Sequence, residues 1–363
     1  MKITKSRVAI GAAVAAATGL AGVAAAGAIS LRRWRRRPDP ARGEDFSEPR
    51  GTTHRLLPAH DGGEIHVVDL GQGRPFLLLH GVTNSTLVWH YQLRDLVDAG
   101  YRVVAMDVRG HGRSRAGSDG HTLAAMATDV HAVVQALDLH QAIVVGHSMG
   151  GMILLQMLAD HPEAMAGGAV TAIALVATSA SPVLGSGVPA AAAGLVRVLT
   201  PAAGQGHVRA TAGRGDPGER PGDLATMYCR LAFGGHPLPT HVELLRAMTS
   251  AVPGPVVGEL LQTLLNLDVR RVLPSITVPA LVVVGTRDLL TPPWHARYLA
   301  RHIPVTDLHV LPGCGHMVML ERRAELAQLL VALAERTAAT PAVAARSEVA
   351  RGSAYPSSLG SGS

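Results

Sequence analysis

Apolar residues along this chain gather in short runs, separated by stretches where they recur every three or four positions. Runs at 64–69, 75–79, 101–106, 142–145, 172–177, 280–284 and 307–311 predict strands, and the Val-, Ile- and Leu-rich ones predict strands buried on both faces. Helical spacing at 91–99, 122–137, 149–160, 294–301 and 322–336 places helices between them, with Asp129 and His131 expected on the wet face of the second. Such strand–helix alternation predicts an α/β fold: a mostly parallel central sheet covered by helices on both faces.

The alternation breaks once. From Ser181 Gly, Pro and Ala dominate up to Gly222, and helical stretches near 223–233, 240–251 and 256–267 come next without a strand. This predicts a helical cap over 181–271, inserted into one core made of 52–180 and 272–336. Residues 38–51 are charged and Pro-containing and read as a linker. Residues 337–363 are rich in Ala, Pro, Ser and Gly and read as a disordered tail.

Ahead of the linker, Val8 to Leu31 is an uncharged run of 24 residues, mostly Ala and Gly. As a helix it would be about 36 Å long, enough to cross a bilayer. The Arg cluster at 32–37 opposes translocation of the residues C-terminal to it. Residues 1–37 are therefore expected to form an N-terminal membrane anchor with the catalytic part on the cytoplasmic side; a cleaved signal with cleavage near Ala24–Ala26 is the alternative.

Charge adds one exclusion. The net charge is +6, but Lys2, Lys5, Arg7, Arg32, Arg33, Arg35, Arg36 and Arg37 supply +8 of it, leaving −2 for the rest. The body of the protein thus lacks the basic footprint of a nucleic-acid binder. The cysteines, Cys229 and Cys314, lie far apart and suggest neither a metal pair nor a disulfide framework. His236 and His241 are too widely spaced for a one-turn metal pair, so no metal and no cofactor is expected.

Ligands of α/β sheets sit beyond the carboxyl ends of the strands, so the residues after each run carry the functional information. They are His80-Gly81-Val82-Thr83-Asn84, then Asp107 to Ser114, Gly146-His147-Ser148-Met149-Gly150, Gly285-Thr286-Arg287-Asp288, and Pro312-Gly313-Cys314-Gly315-His316. The third has the G-x-S-x-G form between a strand and a helix. Glycines two before and two after Ser148 relieve the crowding of so sharp a turn. The turn sets the hydroxyl at a helix N-terminus, where the N–H of Met149 and the helix dipole can stabilise an oxyanion. Serine, acid and histidine succeed one another in the order Ser…Asp…His along one sheet edge.

Taken together, the HG segment, DVRGHGRS, GHSMGG, GTRDLLTP and the final GCGH resemble the α/β-hydrolase family over roughly 52–336, with the cap the least specific part. The resemblance implies Ser148 as nucleophile, His316 as general base and Asp288 as its orienting acid, with the N–H groups of Val82 and Met149 as the oxyanion hole. Serine at the elbow, where epoxide- and haloalkane-cleaving relatives have Asp, implies acyl chemistry on a small-molecule ester; a tether near lipid and an apolar helical cap suit small to medium lipophilic ones. Acyl transfer, C–C hydrolysis and cofactor-free perhydrolysis would use the same triad, and a non-catalytic receptor would keep only the fold. His80, His111, His147, Arg109 and Arg113 are expected to shape loops, and Cys314 is not on an elbow.

Overall fold

The computed structural model of the chain describes residues 33–182, 226 and 229–338. Its centre is an eight-stranded sheet in the order β1-β2-β4-β3-β5-β6-β7-β8. The strands are β1 (Thr53–Pro58), β2 (Glu64–Leu70), β3 (Pro75–Leu79), β4 (Arg102–Met106), β5 (Ala142–His147), β6 (Val170–Val176), β7 (Ala280–Gly285) and β8 (Thr306–Leu311). β2 runs antiparallel to both β1 and β4, and the pairs from β4 through β8 are parallel. Six loops therefore leave the sheet at one edge, including all five predicted to carry chemistry.

Helices α1 (His90–Asp98), α2 (Leu123–Ala136) and α3 (Met149–Asp160) come after β3, β4 and β5 in the chain, and α4 (Glu163–Ala166) is one short turn before β6. After β6 come α5 (Pro239–Ala251) and α6 (Gly254–Leu265), then α7 (Pro293–His302), α8 (Val318–Glu321) and α9 (Arg323–Ala338). The alternation along β5 sorts the two faces. Val144 packs with Met126 and Val130 of α2 and Ile153 of α3. Ile143 and Val145 pack with Leu93 of α1 and Leu326 and Leu330 of α9. Both faces of the central strands are dry, which is why they are written in Val, Ile and Leu.

Four expectations need correction or qualification. Asp129 is not on a wet face: it is 1% exposed and meets Arg109 in a fork, Oδ2 to Nε and Oδ1 to Nη2, each at 2.7 Å. A carboxylate can stay buried because a guanidinium twenty residues away matches it. The membrane anchor is also corrected. Among the described residues no helix is long and apolar enough to cross a membrane. The Val8–Leu31 run lies outside the described residues, and its Ala and Gly side chains offer little apolar surface to a bilayer. Of the 181–271 cap, α5 and α6 are described, whereas 183–225 and 227–228 lie outside; so does nearly all of the 337–363 tail.

Residues 33–50 pack against the body. Trp34, 2% exposed, donates its indole N–H to Pro237 O at 3.0 Å. Asp39 Oδ2 accepts from the N–H and the hydroxyl of Thr240, at 2.8 and 2.7 Å. Leu238, the residue before α5, has no side-chain acceptor, so Asp39 caps that helix from two hundred positions away. Glu44 accepts from the Tyr91 hydroxyl at 2.7 Å, and His241 Nε2 meets the same hydroxyl at 2.8 Å.

Candidate active site

β5 delivers Ser148 to the carboxyl edge of the sheet with φ 52° and ψ −120°, a region that costs a non-glycine residue about 1–3 kcal/mol. The turn is too tight for side chains on either flank. A Cβ at Gly146 would lie 2.5 Å from Gly151 Cα, and one at Gly150 would lie 2.3 Å from Leu79 O. The strained backbone is held at both ends. Ser148 N donates to Val176 O at 3.0 Å, while Ser148 O accepts from Gly151 N at 3.0 Å and from the Thr178 hydroxyl at 2.6 Å.

Asp288 and His316 meet across the loops after β7 and β8. His316 Nδ1 lies 2.9 Å from Asp288 Oδ2, and both side chains are buried. The carboxylate is otherwise held by its own loop: Oδ1 accepts the N–H groups of Leu290 and Thr291, each at 2.9 Å, and Oδ2 accepts the Thr291 hydroxyl at 2.8 Å. With all these donors aimed at Asp288, His316 keeps its Nδ1 proton towards the acid and presents Nε2 outward. The backbone of His316 is pinned too, its N–H donating to Ala232 O at 2.7 Å.

Val82 and Met149 bring two backbone N–H groups to the elbow, and neither has an acceptor among the described residues. A Cβ at Gly81 would fall 3.0 Å from Ser148 Cβ, so only glycine lets the Val82 loop sit this close. The Ser148 hydroxyl and His316 Nε2 likewise carry no hydrogen bond among the described residues.

The other histidines fall into place around this site. His80 Nε2 accepts from Val108 N at 2.9 Å while its Nδ1 donates to Gly81 O at 2.8 Å, bridging two loops. His111 Nε2 accepts from Thr83 N at 3.1 Å, and burial together with nearby His80 pushes its pKa down to about 3. His147 packs its ring 4.7 Å from that of His316 and donates Nε2–H to His316 O at 3.1 Å. Arg109 is fully enclosed by Asp129, Asp61 and Gly120 O. Cys314 is buried, which raises its thiol pKa and keeps it from being a thiolate nucleophile.

Thr178, Thr291, Glu321 and the His147 contact escape a reading of residue pattern. Only Thr291, three positions after an aspartate, carries a local turn signature. Among the described residues two groups bring three potential metal ligands within 4.8 Å, His131–His161–Glu163 and His60–Asp61–Asp119. In the first, the two rings stack 3.9 Å apart at 9°, so one ion cannot lie in both ring planes; in the second, Arg109 already occupies Asp61.

Residues 74–323 match the model of the alpha/beta hydrolase fold. The chain belongs to the α/β-hydrolase family. An AB hydrolase superfamily protein of Bacillus subtilis is 28% identical over 285 residues, covering 73% of this chain and 93% of that protein. A non-heme haloperoxidase of Rhodococcus erythropolis is 44% identical over 106 residues, 29% of this chain and 39% of that protein. The chain spans about two fifths of the length of the haloperoxidase relatives it matches, between 38% and 41%. Among solved structures, an esterase from Exiguobacterium antarcticum superposes with a TM-score of 0.66 at 26% identity, covering 78% of this chain and all of that one.

Proposed function

We propose that this α/β-hydrolase cleaves carboxylic esters through Ser148, His316 and Asp288. The observation that carries the reading is the buried 2.9 Å bond between Asp288 and His316, with Nε2 unspent, at the sheet edge where Ser148 is held in strain. A serine hydroxyl is a weak nucleophile at neutral pH, so His316 takes its proton as it attacks the ester carbonyl. Asp288 fixes the tautomer and stabilises the imidazolium. The carbonyl oxygen becomes an oxyanion facing the N–H groups of Val82 and Met149, where each donor contributes about 10²–10³ in rate. His316 then protonates the leaving alcohol. Water, deprotonated by the same imidazole, attacks the acyl-enzyme and frees the acid.

The helices of 239–265 form part of a cap over this site. The Thr249 hydroxyl on α5 lies 3.2 Å from that of Thr83, and the 229–235 segment backs His316. Apolar helices at that position suit small to medium lipophilic esters. The likeness to an esterase over 78% of the chain supports the same class.

Ser148→Ala is expected to leave the fold and melting temperature unchanged and to lower kcat on p-nitrophenyl esters by up to about 10⁶. A fluorophosphonate probe is expected to label the wild type at Ser148 alone. Full turnover in the variant would remove the serine from its role, and an unlabelled wild type would point to a binding protein on a hydrolase fold. Perhydrolysis is a second reading, favoured by the 44% identity to a haloperoxidase. There hydrogen peroxide replaces water at the acyl-enzyme and the product is a peracid; assay with and without peroxide tells the two apart.

A further inference from the structure

Glu321, the last residue of α8, is a half-buried carboxylate that the proposed reaction does not use. Its Oε1 accepts the N–H of Gly315 at 2.9 Å and its Oε2 the N–H of Gly234 at 2.8 Å. The first amide belongs to the residue before His316; the second lies in the 229–235 segment that enters from the cap side. These two loops touch through glycines. A Cβ at Gly315 would lie 2.4 Å from Gly234 N, and one at Gly234 would lie 2.1 Å from Gly313 O. His316 N and Met317 N both donate to Ala232 O, at 2.7 and 3.3 Å. Gly235 N also donates to Gly313 O at 3.2 Å, and Glu321 adds a side-chain bridge to these direct main-chain links between the two loops.

We propose that Glu321 is a positioning residue, a staple that locks the His316 loop to the 229–235 segment and sets where the imidazole stands relative to Ser148. The inference rests on the serine-hydrolase reading of the same site. A carboxylate suits the task because it is acceptor-only: two oxygens meet two N–H groups with nothing to reorient. A glutamine would turn an N–H₂ group towards one of the amides and lose that bond. Burial pushes the Glu321 carboxyl up, whereas the amides of Gly234 and Gly315 pull it back. Its charge is felt by Asp288 and His316 on the core side and by Cys314 between them, with Arg322 and Glu325 the neighbouring charges on the helix side. The carboxylate charge of Glu321 thus faces the imidazole of His316.

The test compares E321Q, E321D and S148A in the full chain with p-nitrophenyl acetate. For E321Q, kcat is expected to fall by about 10- to 10²-fold, the cost of a slightly misplaced catalytic group, with KM within about twofold. The acid limb of its kcat/KM profile should move to lower pH, and fluorophosphonate labelling should slow in step with kcat. E321D keeps the charge but draws the carboxylate back by one methylene; its kcat should fall while its acid limb stays in place. It carries the test if E321Q does not fold. Wild-type kcat in E321D, or an unmoved acid limb in a folded E321Q, overturns the proposal. An inactive S148A beside normal Glu321 variants would sink the staple alone, whereas an active S148A would sink the underlying reading.

Discussion

Arg109 with Asp129 and His316 with Asp288 are both buried pairs at the carboxyl edge of the sheet, the first joining the loop after β4 to helix α2 and the second joining the loops after β7 and β8. In the first pair every guanidinium nitrogen has a partner: Nε and Nη2 go to Asp129, and Nη1 goes to Asp61 and Gly120 O. In the second, Asp288 is fully engaged yet its partner keeps one ring nitrogen free, and the serine hydroxyl and two backbone N–H groups nearby are free as well. Buried polar groups are normally all paired. The first pair holds the chain together, whereas the groups left unpaired beside Ser148 are the ones the proposed reaction uses.

Substitutions should respect that division. Asp288→Asn keeps the size of the side chain but removes the charge that fixes the tautomer of His316; kcat is expected to fall by about 10⁴ with little change in melting temperature. Asp129→Asn should do the converse. It takes one of two carboxylates from the buried Arg109 and leaves it Asp61, at a cost of up to about 3–5 kcal/mol in urea unfolding, while kcat per folded molecule is retained. A dead but stable D129N would erase the distinction between the two pairs.

The smallest effect is in pH. Burial holds His80, His111, His147 and His295 below their usual range, His111 to about 3 and His295 to about 4, so they are neutral when folded. The unfolded chain binds those protons near pH 6.5. Their contribution to stability is therefore complete above about 6.5 and drains away as pH falls towards the folded values. Asp61 works lower: burial would raise it, but Arg109 and the amides of Asp119 and Gly63 hold it at about 2, so its contribution is lost only between 3.8 and about 2. Urea midpoints should decline from pH 7 to pH 5, and a flat profile there would contradict the burial of these rings.

Seven of the eight strands were legible, most clearly β3, β5, β6 and β7, because a strand covered on both sides must be largely apolar. β1 was not, since Thr53–Pro58 is mostly exposed and carries His54 and Arg55, whose partners His66 and Asp69 lie on another strand. Ser148, Asp288 and His316 stood out because each closes a strand at the same edge. Glu321 and Thr178 did not, because their partners are main-chain groups that no residue code reveals. Asp129 looked solvated because periodicity sees one helix at a time and Arg109 belongs to another loop. Residues 38–51 looked like a linker, and the Arg cluster before them like the end of an anchor, for a similar reason: Trp34, Asp39 and Glu44 are a sparse set whose partners lie at Pro237, Thr240 and Tyr91.

Asp39 and Trp34 have a practical meaning for anyone trimming this chain. Cutting at the first strand would discard no part of the sheet, yet it would uncover the Thr240 amide and empty the slot beside Pro237. The start of α5 would then fray, and α5 carries Thr249 against the loop of Val82. A faithful minimal enzyme must begin upstream of residue 34, outside the stretch that the family shares.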